Sequence, residues 1–150
     1  MGNDITTGVL RVVGAVLVLV GGVLHYLIWD EDYRSIPDGA VPGLDVVKVG
    51  FPVNTVISVL LAVAVLIFAR RPIVWLAAAL FEAAGIGALV LSREGSLFGW
   101  KEPDWSTDAK RVLTVEVLAV IALGLLLAVD FTRSSPETGP GSSGLAPKSS

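Results

Sequence analysis

No cysteine occurs among the 150 residues, which removes disulfides, thiolate metal centres and Cys-x-x-Cys redox chemistry. Histidine occurs once, so two-histidine haem ligation within one chain is excluded as well. Charge is scarce: Asp, Glu, Lys and Arg make up 17% of the chain, against about a quarter in soluble domains. The net charge of -3 is small, and no basic run or aromatic-basic platform points to a nucleic-acid partner. A Gly-rich phosphate loop, a nucleophile elbow and a His-Glu-x-x-His zinc motif are also missing. Gly85-Ile86-Gly87 lies inside an apolar run with no strand before it, and reads as helix packing rather than as a dinucleotide fingerprint.

What is abundant is apolar residues, 53% of the chain, gathered into four runs nearly free of charge. They cover about 8–29, 49–69, 73–92 and 109–131. Each has about the 20 residues that a helix needs to cross a ~30 Å hydrocarbon core. Lipid offers no partner to open backbone groups, and none of the runs alternates in polarity as a barrel strand would. The expectation is an all-α, four-helix transmembrane bundle over residues 1–131, running up-down-up-down. The first run is longer than the roughly 7–15 apolar residues of a signal peptide. It also ends in bulky His25-Tyr26-Leu27-Ile28-Trp29, so a retained helix is expected.

The connections differ in kind. Arg70-Arg71-Pro72 alone separates the second and third spans, which predicts a tight antiparallel hairpin. The first connection, Asp30 to Lys48, and the third, Arg93 to Asp108, are longer and acidic. Ser106 or Asp104 is placed to cap the fourth helix. Pro52 falls in the first turn of the second span as drawn, where a missing N–H costs nothing. Residues 132–150 are rich in Ser, Gly and Pro and read as a disordered tail.

Arg70 and Arg71 stand in the shortest connection without an acid, which favours a cytoplasmic location for that hairpin and for both termini. The Ala, Val, Gly and Leu bias, with Arg over Lys, points to a high-GC bacterial genome and hence to the plasma membrane. Trp29, Trp75, Trp100 and Trp105 fall at or beside span ends, where amphipathic rings prefer the headgroup level.

Polar side chains inside the spans are the candidates for chemistry, because they are costly there. Four qualify: His25, Asn54, Glu82 and Glu116. At 1.5 Å per residue, Glu82 lies near the centre of its span, Asn54 and Glu116 roughly 7 Å away from theirs, and His25 about 10 Å. With the termini inside, His25, Asn54 and Glu116 are all displaced toward the outer face. Gly14, Gly21 and His25 share one face of the first helix, and Ala78, Glu82, Gly85 and Ser92 one face of the third. Small residues mark helix contacts in membranes, so His25 and Glu82 are expected to point inward.

Several readings follow from this polar layer. It can be structural, pairing His25 with Glu116 and Asn54 or Ser58 with Glu82, in a non-enzymatic accessory or scaffold subunit of a larger membrane complex or a homo-oligomer. It can instead flank a small apolar ligand such as a quinone. Glu82 can also serve as a neutral acid that donates a hydrogen bond. A transport component is a further reading, although no broken, repeat-related helix supports it. No spacing supports a metal site at His25, Glu82 and Glu116, which come from separate helices. In the outer connections, Tyr33-Arg34-Ser35-Ile36-Pro37 and Ser96-Leu97-Phe98-Gly99-Trp100 are expected to fold back over the bundle mouth.

Some local motifs are specific. A first helix ending in Gly22-Val23-Leu24-His25 is followed by Tyr33-Arg34-Ser35-Ile36-Pro37, and Asn54 stands early in the second helix. Ser96 to Gly99 and Glu102-Pro103 follow the third. In these residues the chain resembles a group of small actinobacterial four-helix membrane proteins over about 8–131. That resemblance implies a fold and no activity. The layout is also similar to DoxX-like four-helix proteins, by analogy of architecture alone.

Overall fold

The computed structural model describes residues 2–102 and 104–134. Four long helices carry the chain: α1 (Gly2–Ile28), α2 (Leu44–Ile67), α3 (Pro72–Glu94) and α4 (Thr107–Ser134). All four are long and apolar enough to cross a membrane. Among the described residues there is no strand, only an isolated bridge between Leu97 and Trp100. The fold is the four-helix bundle that the apolar runs predict.

α1 packs most extensively on α2 and α4, and α3 on α4, while α2 and α3 are the loosest of the neighbouring pairs despite their short hairpin. Apolar side chains facing lipid gain nothing from leaving it, so the helices are held by close fit rather than by exclusion of water. The fit is made by alanine, valine and leucine side chains: Val18, Val65, Ala78, Ala119, Leu123 and Leu126 form the heart of a buried cluster. Phe68 N donates to Ala64 O (2.8 Å) and Val74 N to Arg71 O (2.9 Å), closing α2 and opening α3 around Pro72 at the first helical position.

Several boundaries differ from the hydropathy reading. α1 does not end at Trp29 but continues as a π-helical turn, Trp29–Tyr33, closed by Arg34 N donating to Trp29 O at 2.7 Å. Hydropathy measures partition into lipid, and the acidic Asp30-Glu31-Asp32 conceals a backbone that stays helical. α2 starts at Leu44, five residues ahead of the apolar run, because its polar first turns are engaged with the preceding connection. Asp45 accepts from Gly39 N at 3.0 and 3.2 Å, and Lys48 Nζ donates to Ile36 O (2.6 Å) and Asp38 Oδ1 (2.7 Å). Pro52 therefore sits well inside α2 rather than in its first turn. Its missing N–H leaves Lys48 C=O without the usual helical donor.

α4 is capped by Ser106, whose Oγ accepts from Ala109 N at 3.1 Å. The helix runs to Ser134, so 132–134, expected to belong to the tail, are helical. The rest of that tail, 135–150, lies outside the described residues. Trp75 is the clearest correction to the side-chain reading: at its span end it is 1% exposed and packs in the core cluster instead of facing outward. The reason is periodicity, since Trp75 shares the inward face of α3 with Ala78 and Glu82, at steps of three and four.

Candidate functional site

The long connections lie at one end of the bundle and the Arg70-Arg71 hairpin at the other. At the long-loop end, α1 and α2 meet backbone to side chain. A Cβ on Gly22 would fall 2.6 Å from Ser58 Cβ, and Thr55 Oγ1 donates to Gly22 O at 3.0 Å. This closeness brings the last turns of α1 into the middle of the bundle.

His25 stands there. Its Nδ1 is 2.9 Å from Gly21 O, and because a carbonyl only accepts, that nitrogen carries a hydrogen. Nε2 is left facing α4, 3.7 Å from Glu116 Oε1. Glu116 is 2% exposed, and its Oε2 has no hydrogen-bond partner within the protein. Glu82, on α3, is buried too and lies near Glu116 in the same layer. Glu82 Oε2 comes within 3.6 Å of the Cβ position of Gly21.

The four candidates are thus split. His25 and Glu116 are brought face to face, and Glu82 joins them through space. Asn54 is not joined to Glu82; its Oδ1 accepts from Ser58 Oγ (3.2 Å), one turn along the same helix. Glu82 has no hydrogen bond to either.

Above this layer a cavity of about 260 Å³ opens between the helix ends and the connections. His25 and Asn54 reach its wall, whereas Glu82 and Glu116 lie behind it. One side is aromatic: Phe51 stacks on Tyr33 at 4.9 Å and meets the His25 ring at 5.6 Å. Gly85, Ala88 and Leu89 supply an apolar side from α3. α2 and α3 are the loosest of the neighbouring helix pairs, and the cavity opens between these two walls.

The connections roof the cavity, as the sequence leads one to expect, through contacts that the sequence does not reveal. Glu102 Oε2 accepts from both Tyr33 OH (2.7 Å) and Trp100 Nε1 (2.9 Å), tying the first connection to the third. Glu102 N donates to Ser92 O at 2.8 Å, fixing the roof to α3. Gly43, at φ +78°, lets the first connection lie directly on the Phe98–Trp100 turn.

Arg93 also lines the cavity. Its guanidinium sits 5.4 Å from the Trp105 ring and donates to Ser92 Oγ (3.1 Å), while its Nε finds no acceptor in the protein. Phe51 and Arg93 are cavity residues that the sequence reading does not single out, while Tyr33 and Glu102 stand in segments it names without revealing their mutual contact.

Chemically, the wall is largely apolar and aromatic, with polar groups at the helix ends and connections: the His25 imidazole backed by a carboxyl group, the Asn54 amide, Arg93, and the carboxylates of Asp32, Glu102 and Asp108. The apolar and aromatic part of the wall suits the body of a small apolar molecule with a polar head. Among the described residues no group of three or more His, Asp or Glu is placed to hold a metal ion. Compared with protein families, curated proteins and solved structures, the chain matches none.

Proposed function

We propose that this chain is a multi-pass membrane protein that binds a small, mainly apolar ligand in the long-loop cavity. The observation that carries this reading is the juxtaposition of His25, Phe51, Tyr33 and Asn54 around one roofed space of about 260 Å³. A flat carbonyl-bearing ring of the quinone class suits it. The aromatic wall gives stacking area, and His25 and Asn54 give hydrogen bonds at the ring's edge.

The chain's setting is the plasma membrane of a bacterial cell, with both termini and the Arg70-Arg71 hairpin in the cytoplasm and the cavity facing outward. The two unopposed arginines of the hairpin support that orientation. Kinship with small actinobacterial four-helix membrane proteins rests on the motifs within 8–131 and adds no activity.

An accessory subunit or homo-oligomer with a purely structural polar layer is the second reading. The close His25–Glu116 approach favours it, since such contacts hold membrane helices together. A transport component has less support. Below Glu82 the bundle interior is closed by the apolar cluster around Val18, Val65 and Ala119.

Native mass spectrometry of the protein extracted in its own lipids separates the first two readings. A co-purifying small molecule, restored by added short-chain quinone and absent from His25→Ala, is the expected result. Lipid adducts alone, unchanged in the variant and accompanied by a stoichiometric protein partner, would overturn it in favour of the accessory role.

A further inference from the structure

The long-loop cavity, at about 260 Å³, is smaller than the roughly 300–1,000 Å³ of pockets that enclose a drug-sized ligand. It seats one substituted ring and leaves no room for a long chain attached to that ring. Its exposed edges differ in chemistry. Asp32 and Ser106 make a polar edge at the helix ends, whereas Val46 and Gly50 of α2 and Phe98 of the third connection make an apolar one.

The apolar edge belongs to the α2 side of the loosest helix pair. Around it the outer surface of α2 carries exposed Val46, Val49 and Val53, while Lys48 is turned aside to Ile36 O and Asp38. Phe98 stands on the same edge at φ +53°, a backbone conformation that bulky residues rarely adopt.

The cavity's two glycines are small for opposite reasons. Gly85 makes room for Glu116, but a Cβ on Gly50 would meet no atom within 4 Å. A glycine inside a helix is less stable than an alanine there, and no neighbour in the protein requires this one.

We propose that the ligand is a lipid-tailed ring, an inference that rests on the ring-binding reading above. The ring lies in the cavity, and its hydrocarbon chain leaves past Gly50, between α2 and α3, into the bilayer. The missing side chain at position 50 keeps that exit clear. Along this path the chain passes from an apolar wall to lipid without meeting water, the course that hydrocarbon favours. Such a ligand enters from the lipid, and the Glu102 ties of the roof need not break.

The test uses the full chain in nanodiscs of one phospholipid, offered two benzoquinones with the same ring, one tail-less and one bearing a decyl chain. Native mass spectrometry counts the bound quinone for the native chain and for Gly50→Leu. Partition into the disc is common to both chains and cancels in the comparison. Gly50→Leu is expected to lower retention of the decyl form about tenfold, the scale of one overpacking clash, and to leave the tail-less ring unchanged. The open space around Gly50 lets the variant fold. A diazirine on the first tail carbon should label Val46, Val49 and Val53. Unchanged retention of the decyl form in Gly50→Leu would overturn the proposal. So would equal loss of both forms, or labelling confined to the connections. In each of those cases the native chain still binds the ring, and the cavity reading stands. A native chain that retains neither quinone ends both.

Discussion

The carboxyl group of Glu116 fills the space that a side chain at position 85 would need: a Cβ on Gly85 would fall 2.6 Å from Glu116 Oε1. The glycine of α3 and the glutamate of α4 are therefore one unit, and His25 meets the same oxygen from α1. Gly85→Ala is expected to displace Glu116 and to lower stability by about 1–3 kcal/mol, the usual cost of overpacking. Thermal unfolding in detergent reads this. Adding Glu116→Ala should recover part of the loss, and strictly additive losses in the double variant would argue against the contact.

Glu102 is the single acceptor for two donors from different connections. Replacing it with Ala leaves Tyr33 OH and Trp100 Nε1 unpaired, at a cost of about 1–3 kcal/mol. Amide hydrogen exchange should accelerate across 33–36 and 97–100 together, because the roof opens as a unit. Acceleration confined to one connection would mean that the two are not tied through Glu102.

How far these features can be read from sequence depends on what each residue reports. Span number and approximate position follow from partition into lipid, which needs only composition over about 20 residues. Helix ends do not. The Asp30-Glu31-Asp32 turn and the polar start of α2 are helical for reasons of backbone hydrogen bonding that hydropathy does not sense. Inward placement of His25 and Glu82 could be inferred from their glycine and alanine neighbours at helical spacing. Their partners could not, since rotation of each helix about its axis decides whether Asn54 on α2 faces Glu82 on α3 at all. Trp75 illustrates the same limit: a tryptophan near a span end suits either headgroups or core, and only the face it occupies decides.

Gly43 and Gly39 make a controlled pair. Both have positive φ, +78° and +75°, but only Gly43 is crowded, with a Cβ there meeting Phe98 O and lying 2.8 Å from Trp100 N. Gly39→Ala bears the backbone strain alone, about 1–2 kcal/mol. Gly43→Ala adds a clash with backbone that cannot rotate away, and should destabilise by a further kilocalorie or more, about the cost of overpacking. Equal unfolding midpoints for the two variants would show that the connections are not in contact.

Ser106 is the remaining local test. Ser106→Ala removes the acceptor for Ala109 N and should cost about 1 kcal/mol, which Ser106→Asp should restore because an aspartate caps equally well. Helix content and unfolding temperature measured together check this. A loss that Asp does not restore would point to a role for the hydroxyl other than capping.

Between the long-loop cavity and the Arg70-Arg71 hairpin the helices meet through Val18, Val65, Ala78, Ala119, Leu123 and Leu126, whose side chains carry no polar atom. In electrical terms this belt is an insulator. Across a bilayer, a voltage would fall over such a belt at about 2.3 kcal/mol per unit charge per 100 mV, so the long-loop end and the hairpin end would stand at different potentials although one chain builds both.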